Sequence, residues 1–302
     1  MRRRLGVSGS GRSETLELLR GVVPVDTECS PPPAFERLFD ELLLARVAAA
    51  VPERGDTKRL SQIAGWGAAA CWITAEPDTE DVVYAAAGAF NLAVAVFDSV
   101  LDRGPERSAA LVGSLAPPHL ARVLNDPERQ RFEPVGSEHE PVTELFHVAL
   151  AGFVGRWGND RGHMSLALDL LSTMYRSEVG ESDDPMPAKA LPSAFLGLMG
   201  TNDPAHIDMH RALGRFLAAW DDWMDLDEDL LGFRPNRYLG NPQGWNVMCY
   251  LVQAVKLVAS SRAHRPVRSD LRRQLQATIH KAMALDHVAR SRTLGFVEAL
   301  LR

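Results

Sequence analysis

Two stretches with apolar residues at three-to-four spacing run directly into carboxylate clusters, and this pairing restricts the chain more than any other feature. Thr79 to Asp102 ends in Asp98-Ser99-Val100-Leu101-Asp102, and His206 to Leu231 carries Asp221-Asp222-Trp223-Met224-Asp225-Leu226-Asp227-Glu228-Asp229. Residues four apart on a helix share a face. Asp98 therefore stands over Asp102, and Asp221 lines up with Asp225 and Asp229. Like charges stacked in this way repel unless a cation offsets them, and a hard ion such as Mg2+ takes the oxygen ligands that carboxylates offer. Two such faces opposed across an apolar cavity would hold divalent cations over a greasy pocket. For Asp227, Glu228 and Asp229 a solvated helix end is an equally good reading. For Asp98 it is a poorer one, because the preceding turns are too apolar for a solvent face.

The same helical spacing recurs along the chain, over Ala34 to Val51, Thr57 to Thr74, Val142 to Trp157, His163 to Val179, Trp245 to Ala263 and Ser269 to Ala289. No run of alternating strands is visible. Breaks fall where helix-ending chemistry stands, at Pro31-Pro32-Pro33, Pro77-Asp78, Gly104-Pro105, Asn125-Asp126-Pro127, Asp183-Asp184-Pro185 and Asn241-Pro242. Asn125 to Pro141 is polar and reads as a surface loop. The expected fold is all-α, a single-domain bundle over residues 1–302 whose first thirty residues form a partly flexible lead-in.

Composition narrows the function classes. A net charge of -6 argues against nucleic acid as the main partner. The most apolar run, Val82 to Phe97, is shorter than a bilayer span, contains Asn91 and meets Asp98, so it reads as a buried core helix without a membrane span. Met1-Arg2-Arg3-Arg4 is followed by Gly and Ser where a signal peptide needs apolar residues, and cytoplasmic localisation is expected. Cys29, Cys71 and Cys249 are too scattered for a disulfide framework or a zinc site and read as inert thiols. His206 and His210 stand at the i, i+4 spacing of metal ligands, but with no third ligand nearby in sequence they read as part of a surface helix.

These residues together resemble the class I isoprenoid synthases, the superfamily of trans-prenyltransferases, squalene and phytoene synthases, and terpene cyclases. The likeness rests on the apolar helix ending in Asp98-x-x-x-Asp102 and on Phe216-Leu217-Ala218-Ala219-Trp220-Asp221-Asp222-Trp223-Met224-Asp225, where Trp220 replaces the glutamine of Gln-Asp-Asp-x-x-Asp. Gly55-Asp56-Thr57-Lys58-Arg59-Leu60 is similar to the early Gly-Gly-Lys-x-x-Arg-Pro segment of prenyltransferases. Lys189 is similarly placed to the lysine that family uses on the leaving diphosphate. Gly232-Phe233-Arg234 and Arg237-Tyr238-Leu239 are similar to the segment after the second motif of squalene and phytoene synthases. The resemblance implies about ten helices around an apolar cavity, a homodimer through helices, and three Mg2+ ions held by Asp98, Asp102, Asp221, Asp222, Asp225 and Asp229. The implied substrate is an allylic prenyl diphosphate.

The departures from the family pattern favour cyclisation over chain elongation. Ser99 occupies the second position of the expected aspartate pair. The basic set for a second diphosphate is reduced to Lys58, Arg59 and Arg107, with Ser61 and Gln62 in place of Arg-Pro, and a cyclase needs only one diphosphate site. Lys58 and Arg59 read equally as helix-start charges. Arg176 has the spacing of the diphosphate-sensing arginine of bacterial terpene cyclases, although an ordinary surface or ion-pair arginine is the commoner case. Cations assisted by Lys189, Arg176, Arg234 or Arg237 would stabilise the leaving diphosphate. The carbocation left behind needs apolar and aromatic walls, for which Trp66, Trp72, Phe90, Phe97, Phe216, Trp220 and Trp223 are candidates, although an aromatic at helical spacing is more often a core residue. Val94 and Phe90 lie one and two turns before Asp98. Phe90, roughly 12 Å down the axis at about 1.5 Å per residue, is the first large group, which favours C20 geranylgeranyl diphosphate over C15. A linear prenyltransferase, a head-to-head condensing enzyme and an inactive partner subunit of a prenyltransferase stay open as alternatives.

Overall fold

The computed structural model describes residues 17, 21, 35, 38–181, 188–232, 236–239, 248, 251–252 and 264–301. Among these residues the chain is all-α, with no strand and ten helices of ten residues or more. In order they are α1 (Glu41–Ala50), α2 (Thr57–Trp72), α3 (Asp81–Leu101), α4 (Pro105–Ser114), the shorter α5 (Pro117–Asn125), α6 (Glu140–Trp157), α7 (Arg161–Glu178), α8 (Leu191–Gly200), α9 (Pro204–Met224), the short α10 (Leu226–Gly232), α11 (His264–Met283) and α12 (His287–Leu301). Two 3-10 turns, Pro52–Arg54 and Ala188–Ala190, complete the elements.

Local chemistry explains the boundaries. Asp40, Asp56, Asp160 and Asp203 each accept a hydrogen bond from a first-turn N–H of the helix that follows, offsetting one of its orphan donors. Pro105 and Pro117 open α4 and α5, since proline at the first position costs no helical hydrogen bond. The segment read as one helix over Ser269 to Ala289 is two: α11 ends at Met283, and Asp286 caps α12 by accepting from the Val288 and Ala289 amides. His206 to Leu231 is likewise divided at Asp225, yet Asp225 N–H still donates to Asp221 and Asp229 N–H to Asp225, so the stacked aspartates keep their register. Most of Trp245 to Ala263, most of the lead-in, Cys29 and Cys249 lie outside the described residues.

α3 is 21 residues long, longer than its apolar run suggested, and by length and composition it could cross a membrane; 61% of that window is buried in the bundle. It is sandwiched between α2 and α6. Small residues bring α2 and α3 close: a Cβ on Gly67 would lie 2.4 Å from that of Asn91, and one on Gly88 would lie 2.7 Å from the Ala64 carbonyl oxygen. Asn91 also donates to the Ile63 carbonyl across the seam, at 2.7 Å. The rings of Phe90, Phe146, Phe153 and Phe195 meet at the centre, Phe90 and Phe195 at 4.4 Å between centroids. Burying each such ring contributes about 1.5–3 kcal/mol.

The expectation that His206 and His210 decorate a surface helix is corrected. His210 has no exposed surface and lies between the Thr74 hydroxyl at 2.9 Å and the Ser193 hydroxyl at 3.4 Å. Burial, followed by the charge of His206, lowers its pKa to about 3, so it is a neutral core imidazole. His206 instead faces Asp286 and the Thr201 hydroxyl. Burial pushes the Cys71 thiol up to about 12, against a weaker pull from Arg156, in keeping with an inert thiol.

The close seam yields a direct test. Gly67→Ala should destabilise the fold by about 1–3 kcal/mol, because neither the Asn91 side chain nor the α3 backbone has room to yield. Gly155→Ala on exposed α6 surface, where an added Cβ meets nothing within 4 Å, should be neutral or stabilising by up to about 1 kcal/mol. Urea denaturation of the two variants beside wild type measures both changes.

Candidate active site

The antiparallel seam of α2 and α3 sets Ile63 beside Asn91 and Gly67 beside Ala87. Continued along both helices, this register brings the start of α2 level with the end of α3. Asp98, in the last turn of α3, and Asp102, its cap, are both exposed there. Ser99 is buried and donates to the Ala95 carbonyl on its own helix. Its position thus faces the bundle and does not add an oxygen to the exposed face.

The second cluster is built differently from a plain acidic face. Asp221 and Asp225 are exposed, whereas Asp222 is 2% exposed. The turn at Ala188–Ala190 delivers Lys189, whose Nζ donates to Asp222 Oδ1 at 2.9 Å. Asp222 Oδ2 is buried without a hydrogen bond and lies 4.0 Å from Arg237 Nε. Asn236, itself buried, donates to the Asp222 carbonyl at 2.6 Å and to Asp229 Oδ2 at 2.8 Å. Asp229 is buried as well.

The two clusters act on each other. Asp221 is pushed up to about 7, first by burial and then by Asp225, with Lys189 opposing and with Asp222 and Asp98 adding to the rise. Glu178, at the end of α7, is also raised to about 7, by burial and then by Asp98, with Lys189 opposing and Asp102 adding. Asp229 rises to about 6 through burial, against the Asn236 hydrogen bond, with Asp225 adding. Asp221 and Glu178 are nevertheless reached by solvent. Exposed side chains whose charge is penalised by surrounding protein stand inside a recess, since a convex surface imposes no such penalty. The recess is therefore walled by the ends of α3, α7 and α9, with Lys189 within its field. Burial alone would lower Lys189, but Asp222 and its hydrogen bond, then Asp221 and Asp229, hold its pKa above the usual value.

Among the described residues no three His, Cys, Asp or Glu side chains converge on one point as a preformed cation cage would. The donor set still suits Mg2+, which typically binds through one or two carboxylates while waters and substrate phosphates fill its remaining positions. Asp98, Asp102, Asp221 and Asp225 are the exposed carboxylates of the two clusters. Asp222 and Asp229 are engaged by Lys189 and Asn236 and serve to shape the site.

The other sequence candidates are distributed unevenly. Lys58 and Arg59 are exposed in the first turn of α2, at the level of Asp98, and the Arg59 amide is capped by Asp56. Arg107 is exposed on α4. Arg176 is exposed on α7 two residues before Glu178, hence about 200° around the helix from it. Arg234 lies outside the described residues. Arg237 and Tyr238 are half-buried beside Asp222 and Asp270. Phe90, Phe97, Phe216 and Trp223 are core residues, and Phe90 and Phe216 have no exposed surface at all. Val94 and Trp220 are half-buried. Trp66 faces outward and packs edge-on against Phe296, and Trp72 lies at the far end of α2 against Phe35 and Arg292, so neither walls the acidic recess.

Glu178, Asn236 and Asp270 were not singled out by sequence reasoning. Glu178 carried no local signal, being one carboxylate near the end of an ordinary amphipathic helix. A depression of about 180 Å³ lined by His163, Asn202 and Arg211 is at the opposite end of the bundle, by the starts of α7 and α9. No protein-family model matches the chain, and no curated protein matches it.

Raised carboxyls bind more protons folded than unfolded, so their contribution to stability is fullest below pH 4 and is lost as pH rises through about 7. Without divalent metal, the melting temperature of wild type relative to Asp221→Asn should therefore fall between about pH 5 and pH 8. Excess Mg2+ at pH 8 should restore it. Differential scanning fluorimetry across this range, with chelator or with Mg2+, makes the comparison, and a flat difference would remove the repulsive recess.

Proposed function

We propose that the chain is a class I terpene cyclase that ionises an allylic prenyl diphosphate and cyclises the resulting carbocation. The reading is supported by two helix-end carboxylate groups, Asp98 with Asp102 and Asp221 with Asp225, near enough that Asp98 adds, after larger causes, to the rise of both Asp221 and Glu178. Mg2+, when bound, supplies positive charge for the oxygens of the leaving diphosphate. Lys189 and Arg237 add fixed cations at the same end. Asp98, Asp102, Asp221 and Asp225 offer oxygens on opposite walls. As the allylic C–O bond breaks, its electron pair leaves with the diphosphate, and the cation requires walls that exclude water. Val94 and Trp220 are half-buried groups suited to such a wall, Trp220 through its ring face.

Geranylgeranyl diphosphate is the length proposed, on the modest size of the Val94 turn below Asp98. Phe90 is fully enclosed by other rings and gives no measure of depth. A second reading, linear prenyl transfer, is favoured by one observation: Lys58 and Arg59 are exposed at the level of Asp98, where a second diphosphate would bind. Incubation with C10, C15 and C20 allylic diphosphates, with and without isopentenyl diphosphate, and mass spectrometry of the extracts separates the two. Hydrocarbon or alcohol formed without isopentenyl diphosphate supports cyclisation. Longer linear diphosphates formed only with it would replace that reading by chain elongation.

Asp98→Ala and Asp221→Ala should each remove most turnover and leave the melting temperature at or above that of wild type, because each relieves repulsion. Asp222→Ala should lower activity and melting temperature together, since it strips Lys189 of its buried partner. Steady-state rates paired with thermal melts distinguish the cases, and near wild-type turnover in Asp98→Ala would end its role.

Val94→Phe places a ring one turn below the carboxylates. It should cost at least about tenfold on the C20 substrate, roughly 1.4 kcal/mol in the barrier, while C10 or C15 turnover is retained. Equal loss on every chain length with a lowered melting temperature would instead make Val94 a packing residue.

A further inference from the structure

We infer that Asp270, on α11, is a positioning residue that holds Arg237 at the diphosphate end of the recess; the inference rests on the proposed reading of that recess.

The Asp270 carboxylate is divided between two tasks. Its Oδ1 accepts from Arg273 at 2.5 Å and from Gln274 at 3.3 Å, one turn further along the same helix, which fixes its rotamer. Its Oδ2 reaches across to the turn after α10, accepting from Arg237 Nη1 at 3.2 Å and from the Tyr238 hydroxyl at 3.3 Å. That hydroxyl also lies 3.2 Å from the Ala219 carbonyl of α9, where it shares its single proton. Burial alone would raise Asp270, but Arg273, Gln274 and Arg237 hold it below the usual carboxylate range, so it stays an anion. The turn is held from its other side by Asn236, which donates to the Asp222 carbonyl and Asp229 and accepts from the Tyr238 amide.

Arg237 therefore stands between two carboxylates, hydrogen-bonded to Asp270 and 4.0 Å from Asp222 Oδ2. Asp222 Oδ2 is buried and lacks a hydrogen bond. A buried carboxylate oxygen of this kind attracts a free guanidinium strongly. Without Asp270, Arg237 closes onto Asp222 and withdraws its N–H groups from an incoming oxyanion. Asp270 thus acts through Arg237, keeping it short of the internal pair it would otherwise complete.

The test is a double-mutant cycle on the full chain, with inorganic pyrophosphate and Mg2+ as the probe, followed by isothermal titration calorimetry. Asp270→Ala should weaken pyrophosphate binding at least about tenfold, which is 1.4 kcal/mol. In turnover assays it should lower kcat/KM by at least a similar factor, with a fall in kcat included, because Arg237 also meets the charge that grows on the leaving diphosphate. Arg237→Gln should show the same loss, and the double variant should be no weaker than Arg237→Gln alone, because the two residues act as one unit. Asp270→Asn, which keeps the side-chain volume, carries the same comparison if the alanine variant does not fold. Unchanged pyrophosphate affinity in the Asp270 variants, or losses that add in the double variant, would overturn the positioning role while the diphosphate site stands. Failure of the wild-type protein to bind pyrophosphate with Mg2+ would overturn the site and the role together.

Discussion

The salt bridge between Lys189 and Asp222 is the interaction on which the rest of the site depends. Asp222 sits almost wholly inside the protein, and a buried carboxylate is tolerable only when paired. Lys189 can reach it because the turn that carries it lies directly on the α9 backbone. Gly214 makes that approach possible, since a Cβ there would stand 2.1 Å from the Ala190 carbonyl oxygen. With Asp222 turned inward and neutralised, Asp221 and Asp225 on either side of it are left to face the recess.

The recess itself is held against its own electrostatics. Carboxylates from α3, α7 and α9 repel one another at neutral pH, and surrounding protein raises the cost further. Apolar packing elsewhere offsets this cost. The α2–α3 seam, closed by Gly67 and Gly88, keeps Asp98 at the end of a rigid hairpin, and the Phe90, Phe146, Phe153 and Phe195 cluster keeps α3 against α6 and α8. Negative potential gathered in one place is suited to drawing in divalent cations.

Helical spacing made the all-α class legible, along with most of the long helices, because burial on one face of a helix leaves a 3.6-residue trace in the chain. The stacked sets Asp98/Asp102 and Asp221/Asp225/Asp229 were equally visible, since they need only local geometry, and they survive the break between α9 and α10. Shorter helices opened by proline, α4 and α5, went unread, the first of them because Gly104-Pro105 reads first as a helix end. His210 was misjudged for a related reason: its polar side chain suggests a surface, but Thr74 and Ser193, distant in sequence, satisfy it inside the core.

By itself, then, the sequence determined the elements and the periodic alignment of acidic residues along them, because both follow from contacts within a few residues. Tertiary structure decided which carboxylate turns inward to Lys189, that the charge of Asp98 acts on Glu178, and that Asp270 accepts from Arg237. Each of these pairings joins residues from different helices. Its partner is chosen by how the helices cross and by which buried charge must be neutralised, and no local pattern records that choice.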